Sequence, residues 1–125
     1  MTKIITHENL WWWGKSYTFI SDDGMAIIEI AISDERPDLG ELRSLMVHES
    51  ARQKGIGTTM LRFAEHKAQK LKLEQICLNA RKGTFLIDWY RRHGYEIYDE
   101  NCEYSNGQTV GMYKNLDQPT EEETA

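Results

Sequence analysis

The sequence predicts a single α/β domain: a largely antiparallel mixed sheet with one central parallel pair of strands and helices packed against it. Three observations carry this. Apolar residues alternate with a period of two before Val47 and recur at three- and four-residue steps after Gly57. Turn signals at Asp22-Asp23-Gly24 and Asn106-Gly107 separate strand-like runs at both ends, which makes those runs hairpins. A helical stretch lies between the third and fourth strand-like runs, so a right-handed crossover makes that pair parallel.

Tyr17–Ser21 and Met25–Ile32 are the first two strand-like runs, and in the second Ala26, Ile28, Ile30 and Ile32 alternate with Ile27, Glu29 and Ala31. Asp34–Leu39, with Pro37, is expected as a loop, Leu42–Val47 as the third strand and Glu49–Lys54 as a polar loop. Met60, Leu61, Ala64, Ala68 and Leu71 then mark an amphipathic helix with basic residues in its last turn, where the helix dipole favours them. Gln75–Leu78 is expected as a short buried strand. Thr84 is placed to cap a second helix that runs to Arg92, with Gly94 ending it. Tyr95–Tyr98 and Thr109–Tyr113 close the sheet. Residues 1–116 are thus expected to form one domain, and Asp117–Ala125, without apolar content, a disordered acidic tail.

A chain of 125 residues suits one domain and no more. No apolar run approaches the ~20 residues that a membrane helix needs, and Met1–Thr6 lacks the apolar stretch of a secretory signal. Cys77 and Cys102 stand far apart, which points to a reduced, cytoplasmic protein with incidental thiols. No residues have metal-ligand spacing, since His48-Glu49 belongs to no His-Glu-x-x-His helix. The net charge of −5 divides into −5 over Met1–Ser50, +7 over Ala51–Tyr95 and −7 over Glu96–Ala125. A basic centre suits an anionic ligand and acidic flanks suit a cationic one, although solvated helix faces and an acidic tail explain much of the same pattern. Neither a nucleic acid nor a membrane is expected as a partner. Trp11-Trp12-Trp13 is expected to serve core packing or a contact in a homodimer.

The chemistry concentrates in Leu45–Thr58, where a strand runs through a loop containing Gly55 and Gly57 into a helix with no acid in its first turn. Unpaired backbone N–H groups at such a terminus form an anion site, and glycines let a ligand approach the backbone closely. Arg52 and Lys54 stand beside it. A P-loop would need Gly-x-x-x-x-Gly-Lys-Ser/Thr, which is absent. A dinucleotide fingerprint would need glycine at Met60 and an acid near Leu78-Asn79. The pattern Arg/Gln-x-x-Gly-x-Gly/Ala of acyl-CoA enzymes is matched in full by Arg52–Gly57.

With Leu45-Met46-Val47 before that loop, Trp89-Tyr90-Arg91-Arg92-His93-Gly94-Tyr95-Glu96 after it, and Gly111–Leu116 as a final strand, the chain resembles the GNAT N-acetyltransferase superfamily from about Tyr17 to Leu116. The resemblance implies acyl transfer from acetyl-CoA, as co-substrate, to a primary amine of a small molecule or protein. It implies that Leu45, Met46 and Val47 offer backbone groups to the pantetheine arm. Gln53, Lys54, Gly55, Ile56, Gly57 and Thr58 would cradle the pyrophosphate beside Arg52. Tyr90 matches the tyrosine that protonates the departing thiolate, a role a phenol can fill because it keeps its proton at neutral pH. Glu41 stands where some members carry a base for the amine, with His48 and Glu49 as alternatives and a water relay as another. A core role for Tyr90 and an exposed strand-leading role for Glu41 are the competing readings.

The chain departs from the family pattern twice. Gly83 stands where many members have a ligand-contacting Asn, and too few residues precede Tyr17 for the family's usual two helices. A non-catalytic acyl-CoA-binding module with a degenerate acceptor site is therefore the alternative reading, and a nucleotide-binding protein a third.

Overall fold

The computed structural model describes residues 3–117, apart from the side chain of Tyr104. The elements run β1 (Ile4–Trp11), β2 (Gly14–Ser21), β3 (Ala26–Ser33), β4 (Leu39–Val47), α1 (Ile56–Lys70), β5 (Gln75–Arg81), α2 (Leu86–Arg92), β6 (Glu96–Asp99) and β7 (Thr109–Asn115). Among the described residues seven strands join one sheet in the order β1-β2-β3-β4-β5-β7-β6. Every neighbouring pair is antiparallel except β4 and β5. This is the mixed, largely antiparallel sheet with a central parallel pair that the sequence predicts.

Alternation sorts the strands into two faces. Tyr17 and Phe19, Ile28 and Ile30, Leu42, then Ile76, Leu78 and Ala80 form a buried face with Met60, Leu61, Ala64 and Ala68 of α1. Tyr90 of α2 and Tyr95 belong to the same core. Contacts between the two helical segments put them on one side of the sheet: Tyr95 donates to Glu65 at 2.8 Å, and Thr58 Oγ1 meets His93 Nε2 at 3.4 Å. Glu65 also pairs with Lys114 of β7 at 3.2 Å, and Lys114 donates to the His93 carbonyl at 2.9 Å, which ties the end of α2 down. Gly94, at φ +94°, turns the chain out of α2 as expected.

Four local readings need correction. β1 is a full strand that the periodicity does not announce. It joins β2 through Trp12-Trp13 with no helix between, so the family's two helices are absent there. Arg81 extends β5 beyond Leu78. Thr84 is not the N-cap of α2, which starts after Phe85; the Thr84 hydroxyl instead donates to the Arg81 carbonyl at 2.7 Å and accepts weakly from Leu86 N at 3.4 Å. Asn106 and Gly107 do turn with positive φ, but within a longer connection that includes a 3-10 turn at Glu103–Ser105. The acidic tail lies outside the described residues from Gln118 onward.

Candidate active site

Strands β4 and β5 pair only at Leu39–Gln75, Gly40–Ile76 and Glu41–Cys77. Beyond that seam they part. A register shift between Ile27 and Glu29 of β3 puts one extra residue into β4 at the gap, and Ser44 there has φ +58°. Such bulges bend the strand that carries them.

The phase of the β3–β4 ladder decides which amides face the gap. His48 N donates to Met25 O at 2.6 Å, so the next hydrogen-bonded pair inward is Ile27 with Met46. The backbone groups of Met46 are thus spent on β3, whereas those of Val47 turn away from β3 toward the gap. Of the three residues Leu45, Met46 and Val47, Val47 has the clearest backbone aim and Met46 contributes an exposed side chain. Arg52 Nε donates to the Val47 carbonyl at 3.0 Å, an anchoring role that no sequence pattern reveals.

The gap opens into a cavity of about 1150 Å³. Its walls are Gly24 and Met25 of the β2–β3 turn with Ala26 and Ile27 at the start of β3, the end of β4 with His48 and Glu49, the loop residues Arg52, Gln53 and Gly55, the first turn of α1 at Gly57 and Thr58, and Phe85, Leu86 and Trp89. Gly55 caps α1 at φ +78°, Gln53 is also left-handed at φ +64°, and no side chain caps the helix. The first-turn N–H groups are therefore open to an anion from the cavity. A Cβ on Gly57 would lie 3.6 Å from Trp89 and 3.7 Å from Val47, so this glycine borders both walls.

Lys54 and Ile56 do not line the cavity: Lys54 is exposed and Ile56 packs toward the core. Tyr90 is buried behind the lining, with its ring edge-on to Trp89 at 5.1 Å and to Tyr95 at 5.4 Å. Burial pushes its phenol up to about 12, so the proton stays on through neutral pH. Glu41 sits at the apex of the gap on the sheet face opposite the helices, paired with Arg43 at 2.7 Å. Tyr90 and Glu41 thus approach the gap from opposite sides of the sheet. Gly83 has φ +77°, a left-handed turn in which glycine replaces the expected Asn without strain.

Trp11 and Trp13 lie over the Glu41 face, whereas Trp12 is 93% exposed, so the triplet does not serve core packing. Trp11 and Trp13 stack with centroids 6.2 Å apart, Trp11 donates to Ser16 at 3.0 Å, and the Arg43 guanidinium lies 5.5 Å from the Trp13 ring. Phe85, Leu86, Trp89 and residues 24–27 are the lining residues that sequence reasoning missed; only the nearness of Trp89 to Tyr90 could have signalled one of them.

The sequence pattern of the acetyltransferase (GNAT) domain family matches residues 14–97. The chain belongs to the GNAT acetyltransferase family. No curated protein sequence matches it. Among solved structures, a Bacillus subtilis acetyltransferase in complex with CoA aligns with TM-score 0.70 and 20% identity, over 94% of this chain and all (100%) of that one. Nourseothricin acetyltransferase aligns with TM-score 0.69 and 14% identity, over 94% and 87% of the respective chains. The PaiA N-acetyltransferase of Thermoplasma acidophilum, in complex with coenzyme A, gives TM-score 0.67 and 21% identity over 81% and 60%. At these identities the likeness is one of fold, and within it this GNAT protein has a tryptophan turn between its first two strands.

Proposed function

We propose that this GNAT protein transfers an acetyl group from acetyl-CoA to a primary amine of a small molecule or protein. The observation that carries the reading is that β4, after it parts from β5, lines one cavity together with an uncapped, glycine-bearing helix N-terminus. A ligand that joins an extended amide arm to a pyrophosphate suits both at once. The arm would complete the interrupted ladder beside Val47 as an added strand does, while the phosphates meet the N–H groups of α1 with Arg52 close by.

In the proposed reaction the amine loses a proton and attacks the thioester carbonyl carbon. A C–N bond forms, the C–S bond breaks, and the electron pair leaves on sulfur. Glu41, on the sheet face opposite the helices, accepts the amine proton directly or through water. Tyr90, on the helix side, gives its phenolic proton to the thiolate. A thermal-shift series with acetyl-CoA, CoA, NAD and ATP, followed by thiol release over an amine panel, tests the reading. Stabilisation should appear with the CoA species; stabilisation by NAD or ATP alone would sink it.

A second reading has its own support. Tyr90 lies behind the cavity lining, and no helix follows β1 to shape an acceptor pocket. A CoA-binding module without turnover would show tight CoA binding, with no thiol release from any amine and no effect of Tyr90→Phe.

A further inference from the structure

Among the described residues β1 is the outer strand of the sheet and has β2 as its one neighbour. Its eight residues, Ile4–Trp11, pair with β2 without a register shift. The Lys3 carbonyl accepts from Asp22 N at 2.9 Å, which fixes the ladder phase. Odd-numbered residues turn their amides toward β2, and Ile4, Thr6, Glu8 and Leu10 turn theirs outward. Protective devices are scarce. The strand has no proline and no bulge, and its one carboxylate, Glu8, is drawn onto the sheet by the Tyr17 hydroxyl at 2.7 Å. Natural edges are usually blunted by such features.

The edge is also apolar. Among the described residues eight large apolar side chains are exposed, and four of them belong to β1 and its turn: Ile5 at 48%, Leu10 at 79%, Trp11 at 51% and Trp12 at 93%. Two others, Met46 and Phe85, line the cavity.

We infer that β1 pairs with β1 of a second copy of this chain, antiparallel about a two-fold axis perpendicular to the sheet at His7. Such an axis keeps the two helix faces on one side, so only residues of like parity can stand opposite each other. Centring on His7 sets Ile4 against Leu10 and Thr6 against Glu8, uses all four outward-facing residues of each strand, and forms roughly eight interchain hydrogen bonds. Lys3 then stands opposite Trp11, a cation beside an indole. Centring on Thr6 leaves Leu10 without a partner residue in the strand, and centring on Glu8 sets two carboxylates face to face, which is unfavourable. The strand is thus self-complementary in one register, and this argues for a second copy over an unrelated strand. The pairing continues the sheet at the edge away from the β4–β5 gap, so it leaves the cavity open.

Sedimentation equilibrium at micromolar concentration should give twice the chain mass. Leu10→Lys removes two Leu10–Ile4 contacts by symmetry and should weaken association by at least about 100-fold, with the melting profile of the dissociated chain intact. Thr6→Pro, which removes an outward N–H and is tolerated at edges, should do the same. Should it fail to fold, Leu10→Lys and the next variant still decide. His7→Cys places two thiols at a non-hydrogen-bonded pair, where the Cα separation of about 4.5 Å permits a disulfide. Mild oxidation should crosslink His7→Cys but neither the parent, which reports on Cys77 and Cys102, nor Thr6→Cys. A monomeric parent at 100-fold higher concentration overturns the inference and leaves the edge to a different strand. A dimer that survives Leu10→Lys, or that does not crosslink through His7→Cys, overturns it in favour of another surface.

Discussion

A substitution at Gly57 is expected to separate CoA binding from folding. The two nearest atoms to a Cβ there, on Trp89 and Val47, lie at ordinary contact distance, so a small side chain fits. The position is helical, and replacing glycine gains about 0.5–1 kcal/mol in a helix interior, less in a first turn. An aspartate also adds a favourable charge at the helix N-terminus, about 0.3–1 kcal/mol. Gly57→Asp should therefore melt at or slightly above the parent temperature. Its carboxylate would compete for the N–H groups that a pyrophosphate needs. At a separation of ~6 Å and an effective dielectric of ~40, each like-charge pair costs roughly 1.4 kcal/mol. Two phosphate charges then give roughly 3 kcal/mol, or about 100-fold in Kd, part of it recovered at high salt. Calorimetry with CoA and a melting curve on one preparation read both quantities. Wild-type CoA affinity in Gly57→Asp, or a lowered melting temperature with affinity unchanged, would refute the assignment of the helix terminus as the phosphate site.

Three other perturbations follow from described contacts. Tyr90→Phe should lower turnover by about 100-fold, the low end for general acid catalysis because thiolate leaves well, while the acetyl-CoA Kd stays constant in calorimetry. Gly14→Ala should destabilise the fold by more than about 3 kcal/mol in denaturant titration, because its Cβ would overlap the Ile32 carbonyl oxygen, a backbone atom. The His93 pKa is lowered, first by burial and then by Arg62, so the folded state binds fewer protons than the unfolded chain. That stability is present above the unfolded value of about 6.5 and is lost as pH falls through it. The parent should lose stability from pH 7 toward 5, and His93→Gln should lose less in the same titration.

Much of this fold was legible because period and punctuation agree. Ala26, Ile28, Ile30 and Ile32 mark one apolar strand face, Met60–Leu71 follows helical steps, and Gly55 and Gly94 sit where positive φ is required. β1 was hidden for a physical reason. As an outer strand it buries little, so Ile4–Trp11 shows no clean alternation, and its turn is made by Trp12-Trp13, neither of which has positive φ. Gly14, at φ +154°, takes up the geometry that Asn or Gly would have announced inside the turn. In the candidate site the loop Arg52–Thr58 was readable as a local pattern. The β2–β3 turn with the start of β3 was not, because residues 24–27 meet the cavity only through sheet pairing. Neither was the placement of Tyr90 behind Trp89, since helix spacing gives a direction but not what stands in front.

The seam between β4 and β5 has a mechanical consequence. Among the described residues a ladder of three pairs, with the Glu74 N–H to Asp38 carbonyl bond below it, joins the four-strand wing, β1 to β4, to the three-strand wing, β5 to β7, and α1 lies across the joint. Two plates held by a short weld and one strap have a soft bending mode about that weld. A molecule wedged along the open part of the joint would act as a strut. Its binding should slow amide exchange in both wings at once, including residues that it never touches.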